Sequence, residues 1–364
     1  RIRPASSIAP ASPGDGGDRR MSDGRYRVGV VGATGAVGST ILRVLAERGF
    51  PVGELRPFAS PRSAGREVSF AGRRYPCVAL GDSSIEDLDL VISSAGGAIS
   101  AEWAPRFVEA GATVVDNTSH WRMDPEVPLV IPEVNPEAAD AHKGILANPN
   151  CSTMQMVVAL APLHAAATIE RIVVSTYQSV SGTGNRAIEE LRSQSRAVLE
   201  GGEVRAEVYP HQIAFNVLPQ VEVFGEGDDY TTEERKMMAE TRKILGAGDE
   251  LAISATCARV PVFSGHSESI NVQTARDVAP EELRTLLASA PGVVVIDTPA
   301  DGLYPLATVA AGQDSVLVGR IRRDPGAERT LNLWVVGDNL RKGAATNAVQ
   351  VAELLAERGL LKRG

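Results

Sequence analysis

The chain has 364 residues, enough for two domains at roughly 150 residues each. Hydrophobic residues make up 43% and charged residues 23%, so a sizeable core is available, and a net charge of −8 excludes any global attraction for nucleic acid or anionic lipid. The longest apolar stretch, 154–168, is interrupted by Pro162 and His164 and is too short to span a bilayer.

Residues 1–24 offer almost nothing to bury and are expected to form a disordered extension. From Tyr26 to Cys151 the pattern alternates strand, Gly-rich turn and helix. Short apolar runs at 27–31, 54–59, 89–93, 113–116, 129–131 and 145–147 are predicted strands, with helices over 36–48 and 100–110. Short buried strands separated by helices predict a doubly wound, mostly parallel sheet, a Rossmann-type α/β domain. After Cys151 a helix at 152–161 leads into longer alternating segments at 171–180, 212–217, 251–259, 267–274, 293–297, 315–322 and 329–336. Helices at 185–200 and 231–245 interrupt them, the second opening with the capping box Thr231-x-x-Glu234. This is the pattern of an α+β domain on a mixed or antiparallel sheet. A last helix, 344–358, is expected to return to the first domain. The predicted division is therefore 25–151 plus 340–364 for dinucleotide binding, and 152–339 for catalysis, substrate binding and dimerisation.

Gly32-Ala-Thr34-Gly35-Ala36-Val37-Gly38 follows a predicted strand and opens a helix, the context of a dinucleotide-binding turn. Small residues let the backbone approach a pyrophosphate, whose charge rests on the helix N-terminus. An NAD site usually places an acid at the end of the second strand to hold the ribose 2′-OH. Here that region carries Arg62 and Ser63 and no acid, which suits the 2′-phosphate of NADP.

Three cysteines make no disulfide framework and read as cytoplasmic thiols. Cys151 stands out, because it starts a helix at the seam of the two patterns, where the helix terminus favours a thiolate. Cys77 and Cys257 lie in strand-like segments and read as core residues. A thiol beside a nicotinamide site has one natural use, covalent capture of an acyl or aldehyde carbon, and it needs an acid/base. Of five histidines, His266 is singled out by Arg259-Val-Pro-Val-Phe-Ser-Gly265-His266. Arg259 and His266 are seven apart, an odd spacing that puts them on opposite faces of a regular strand. They share a site only if Pro261 or Gly265 bends the chain.

These residues, with Tyr177-Gln178-Ser-Val-Ser181-Gly182-Thr-Gly184 and Gly337-Asp-Asn339-Leu-Arg-Lys-Gly, resemble the bacterial aspartate-β-semialdehyde dehydrogenases from about Tyr26 onward. The resemblance implies the reversible reaction of L-aspartate 4-semialdehyde, phosphate and NADP+ with L-4-aspartyl phosphate and NADPH. It implies a homodimer, no metal, and a place in the biosynthesis of lysine and diaminopimelate, threonine, methionine and isoleucine. Carried over, Cys151 is the nucleophile, His266 the acid/base, Gln178 orients the substrate and Asn150 helps place the reacting oxygen. Arg259 pairs with the α-carboxylate and Glu233 with the amino group, while Arg122 and Lys236 bind phosphate. Ser181, Gly182 and Asn339 contact the nicotinamide half. By spacing alone, Glu233, Lys236, Glu240 and Lys243 read as a solvated, salt-bridged helix face. Against that stands the scarcity of lysine, five of 37 basic residues. Two rival families fit less well. An N-acetyl-glutamyl-phosphate reductase has Gly before and Tyr after its cysteine, where this chain has Asn150 and Ser152, and the Ser-Cys-Thr-Thr-Asn run of glyceraldehyde-3-phosphate dehydrogenase is absent. A non-catalytic NADP sensor is opposed by the intact set Cys151, His266, Gln178 and Arg259.

Overall fold

The structure is a computed structural model describing residues 25–227 and 229–361, so the expected extension over 1–24 lies outside the described residues. Runs of buried apolar residues form the first strands, and the chain proceeds through β1 (Tyr26–Val31), α1 (Ala36–Glu47), β2 (Val52–Ala59), β3 (Glu67–Phe70), β4 (Arg73–Pro76), β5 (Val78–Ala79), β6 (Leu90–Ser93), α2 (Gly97–Glu109), β7 (Thr113–Asp116) and β8 (Ile145–Ala147). Six of these make one sheet, ordered β5-β2-β1-β6-β7-β8, in which every pair is parallel. The chain winds outward from β1 in one direction and then from β6 in the other. The crevice between β1 and β6 is therefore the topological switch point, where such sheets bind ligands.

The second half comprises α3 (Cys151–Ala167), β9 (Ile169–Gln178), α4 (Asn185–Glu200), α5 (Thr232–Leu245), β10 (Ala252–Arg259), β11 (His266–Thr274), α6 (Pro280–Ala288), β12 (Val293–Val295), α7 (Ala307–Ala310), β13 (Val316–Arg323) and β14 (Thr330–Gly337). Its sheet is mixed, ordered β10-β9-β11-β14-β13-β12, parallel at its two outer pairs and antiparallel between them. One face packs on α3, α5 and α6 in a single apolar cluster. The other carries Tyr177 against Trp334, rings 5.4 Å apart, and exposed Leu306 lines a shallow cavity together with Trp334.

The long helix α3 ties the halves together. Met154, Met156, Val157, Val158, Leu160 and Leu163 are all buried, so the helix is apolar all round, as an interior helix must be. It runs through Pro162 to Ala167, beyond the expected end at 161. The chain closes with a π-helical turn (Arg341–Ala345) and α8 (Thr346–Glu357). Val349, Ala352 and Leu355 of α8 join the cluster of Val28, Val30 and Leu90, on the sheet where the chain began.

Two expected strands do not form. Over 212–217 the alternation comes from a loop packed on α4, where Gln194 Oε1 accepts the amides of Ile213 and Ala214; only Leu218 makes an isolated bridge, to Arg259. The run 129–131 contributes one bridge, Leu129 to Ala147. The hairpin β3–β4 and helix α6 were not expected: β3 and β4 are short and largely exposed, and α6 buries only Leu283 and Leu287. No helix among the described residues is long and apolar enough to cross a membrane.

Candidate active site

A helix that begins inside the protein leaves its first amides without water, and the residues before α3 solve this locally. Asn150, the N-cap, accepts the amides of Ser152 and Thr153 at 2.9 and 3.1 Å through Oδ1. Its Nδ2 donates to Glu233 Oε1 at 2.9 Å, and its backbone amide to Glu240 Oε2 at 2.6 Å. Both Asn150 side-chain groups are thus engaged in holding the turn. Cys151 follows as the first helical residue, half-buried.

Arg122 arrives from the loop after β7. Its Nη1 lies 3.0 Å from Glu240 Oε1, while Nε and Nη2 donate to the carbonyls of Asn148 and Asn117. Lys243 donates to three carbonyls of the same loop, those of Arg122, Asp124 and Val127. The helix face read as solvated is therefore a buried polar seam, with Glu233 4% and Glu240 1% exposed. Lys236 is held by both oxygens of Glu222, at 2.5 and 2.6 Å, and stands 3.7 Å from Glu233.

Arg259 and His266 are not on one strand. β10 ends at Arg259 and β11 starts at His266, and β9 lies between these two strands. Arg259 is in register with Gln178, and Ser267 with Tyr177, so both residues flank the end of β9. The parity conflict disappears because 260–265 is a crossing between strands, not a bend within one. Gly182 stands at the meeting point, where an added Cβ would lie 3.2 Å from Arg259 Nη1 and 3.4 Å from His266 Nε2. The Ser179 amide donates to His266 Nδ1 at 3.0 Å, which leaves the proton of the neutral ring on Nε2, an atom with no hydrogen-bond partner. Burial, reinforced by Arg259, pushes the imidazole well below its ordinary pKa. Gln178 Nε2 donates to Ser152 Oγ at 2.8 Å and Glu233 Oε1 at 3.1 Å. Asn339 Oδ1 accepts from Ser179 Oγ, Ser181 Oγ and the Gly265 amide, so it holds the 179–182 turn together.

A cavity of about 440 Å³ collects these parts. Cys151, Asn150, Gln178, Arg259, Glu233, Arg122, Lys236, Gly182 and Asn339 line it; His266, fully buried, and Ser181 do not. It opens on the switch point of the first sheet, where Val37, Ser94 and Gly96 form its wall. The Gly-rich turn is built for close approach: Gly32 has φ +80°, and a Cβ on Gly38 would fall 2.1 Å from the Gly32 carbonyl oxygen. No side chain caps the start of α1, which leaves its first amides for an anion. Arg62 and Ser63 lie in a short 3₁₀ turn after β2, Arg62 exposed and outside the cavity wall. They share an edge with the glycine turn, since the Gly32 and Ala33 amides donate to the Phe58 carbonyl of β2.

Sequence comparison gives the same picture. The family model for the semialdehyde dehydrogenase NAD binding domain matches residues 27–142, and that for the semialdehyde dehydrogenase dimerisation domain matches 160–342. The aspartate-semialdehyde dehydrogenase of Aquifex aeolicus is 56% identical over 340 residues, 92% of this chain and 99% of its own. The chain belongs to the aspartate-semialdehyde dehydrogenase family. Its Synechocystis relative is 51% identical over 92% of this chain and 98% of its own. The crystal structure of aspartate semialdehyde dehydrogenase II from Vibrio cholerae, complexed with ASA, superposes with a TM-score of 0.88 at 46% identity, covering 92% of this chain and 98% of that one. The Candida albicans family member with NADP gives 0.69 at 26% identity, covering 93% and 100%.

Within this family fold, sequence reasoning missed Glu240, Lys243, Ser179 and Asn148. Glu240 left a signal, because it falls in the Met237–Thr241–Ile244 stripe at helical spacing. The others are joined to the site largely through backbone groups, the carbonyls that Lys243 and Arg122 reach and the Ser179 amide, which no side-chain pattern announces. The pull of the helix terminus on Cys151 is outweighed: burial, and next the charge of Glu233, push its thiol up to about 12, against the opposing pull of Arg259 and Arg122. In the free protein, Cys151 alkylation by iodoacetamide, followed by mass spectrometry, is expected to rise about tenfold per pH unit from pH 7 to 9. A rate that levels off below pH 8 contradicts the buried thiol.

Proposed function

We propose that the chain reduces L-4-aspartyl phosphate to L-aspartate 4-semialdehyde with NADPH, reversibly, through an acyl thioester on Cys151. The observation that carries this reading is the convergence of Cys151, Gln178, Arg259, Glu233, Arg122 and Lys236 on one cavity at the switch point of a dinucleotide-type sheet. Arg259 offers a planar guanidinium to the α-carboxylate, and Glu233 a carboxylate to the ammonium. That ammonium offsets the Glu233 charge, which adds to burial in holding the Cys151 thiol up, so substrate binding itself eases thiolate formation.

The sulfur of Cys151 attacks the acyl carbon, the carbon–oxygen bond to phosphate breaks, and hydrogen phosphate leaves with the thiol proton. Gln178 holds the acyl group at the end of β9. Phosphate departs between Arg122 and Lys236, taking the place of Glu222 as the partner of Lys236. When bound, NADPH supplies the hydride for the thioester carbon. The reduction consumes one proton from solvent: His266 takes it up to become imidazolium once the charged ligands are bound and delivers it from Nε2 as the thiol is regenerated and the aldehyde released. The glycine cradle 32–38 fits the pyrophosphate, Arg62 and Ser63 the 2′-phosphate, and Gly182 and Asn339, with Ser181 behind them, the nicotinamide side.

We divide the chain accordingly into a dinucleotide domain, 25–151 plus 340–364, and a catalytic and dimerisation domain, 152–339. The outer face of the second sheet, around Tyr177 and Trp334, is the surface for a second copy. A cytoplasmic location, where Cys77, Cys151 and Cys257 stay reduced, and a role in biosynthesis of the aspartate-derived amino acids accompany this reading.

Aspartate semialdehyde, phosphate and NADP+ together should raise absorbance at 340 nm, and Cys151→Ala should abolish the change; an active Cys151→Ala overturns the mechanism. Arg62→Ala should raise KM for NADPH roughly tenfold, the loss of one charge-assisted hydrogen bond, and leave NADH unaffected; an equal rise with both cofactors refutes the assignment. Light scattering should give about twice the chain mass of 38.4 kDa, and a monomer overturns the dimer.

A further inference from the structure

The segment between β14 and α8 is wound as a π-helix, a form that inserts one extra residue and shifts the phase of every side chain after it. Three bonds spaced five residues apart define it: the Gly343 amide to Asp338 O, the Ala345 amide to Leu340 O, both 3.0 Å, and the Thr346 amide to Arg341 O. Each residue of the turn has a separate attachment. Arg341 is clamped between Asp314 of the second half and Glu47 of α1. The Ala344 carbonyl accepts from Asn148, the residue three before Cys151, and Ala345 enters the core of the first sheet.

Lys342 is the exceptional member. One of five lysines in the chain, it is 1% exposed, and its ammonium meets Glu133 Oε2 at 2.6 Å, Gln350 at 2.7 Å and Asn347 at 2.8 Å. Asn347 continues the network to Asn148 at 2.6 Å, so the buried charge is wired to the cysteine turn. All three ammonium protons are used, and no solvent competes for them. The residue this arrangement presents to the active site is Gly343. A Cβ there would stand 2.9 Å from Cβ and 3.3 Å from Cα of Cys151, closer than real side chains pack.

We propose that the π-turn is a positioning device for the reacting thiol: Lys342, locked on Glu133, sets the phase of the turn so that backbone alone, at Gly343, forms the wall against Cys151. Gly343 and Lys342 are positioning residues; neither is assigned contact with substrate. The relevance to catalysis rests on Cys151 being the nucleophile, while the packing itself can be read without turnover. The test uses full-length Gly343→Ala and the charge-neutral pair Lys342→Met with Glu133→Gln, which avoids leaving one buried charge unpaired. Each is assayed for kcat, KM for aspartate semialdehyde, thermal unfolding, and Cys151 alkylation by iodoacetamide.

Both proteins are expected to unfold cooperatively, to lose at least tenfold in kcat with KM changed less than threefold, and to alter the alkylation rate at least fivefold. Values of kcat and alkylation within twofold of wild type in Gly343→Ala overturn the contact. If Gly343→Ala does not fold, the paired variant decides. In that variant, a lower melting temperature with kcat and alkylation unchanged overturns the positioning role of Lys342. An active Cys151→Ala would defeat the proposed mechanism but not this inference, because the alkylation arm still reports the packing of the thiol.

Discussion

The site depends on how the first turn of α3 is satisfied inside the protein. Asn150 takes two of its amides, and the amide of Asn150 itself goes to Glu240. A carboxylate 1% exposed is costly unless it is paired, and Arg122 pairs it. Arg122 comes from the loop after β7 and Glu240 from α5 of the second half, so this pair joins the two halves at the residue before Cys151. Lys243 fastens the loop that carries Arg122.

The same burial decides the resting state of the thiol. A helix N-terminus stabilises an anion by about 0.3–1 kcal/mol, less than the roughly 1.4 kcal/mol of one pKa unit. Enclosure in the cavity wall and the neighbouring Glu233 act in the opposite sense, and they win. His266 is governed by the same rule with the opposite sign: burial and Arg259 favour the uncharged ring. Cys151 and His266 therefore both rest neutral, at a cavity lined by the charged side chains of Arg122, Lys236, Arg259 and Glu233.

Much of the fold was legible because its signals are local. The glycine spacing at 32–38, the strand lengths of the first half, the Thr231 capping box and the stripe of the last helix each reflect backbone geometry or periodic burial. Where several readings fit a local pattern, the pattern misled. The alternation over 212–217 comes from a loop seated on α4. The charged spacing of Glu233, Lys236, Glu240 and Lys243 could not tell a wet face from a buried seam, because periodicity reports which residues share a side and not what covers it.

Sequence alone determined the residue types, their order, and hence the family, because a cysteine at a helix start, a late histidine and arginine, and a glycine cradle are chemical necessities written in the chain. Tertiary structure alone decided how they meet. Arg259 and His266 reach one place because they end and begin strands on either side of β9, a pairing between segments far apart in the chain. The raised thiol, the neutral imidazole and the π-turn against Cys151 depend on enclosure and contact in three dimensions. Those properties belong to the packed interior, and no spacing along the chain encodes them.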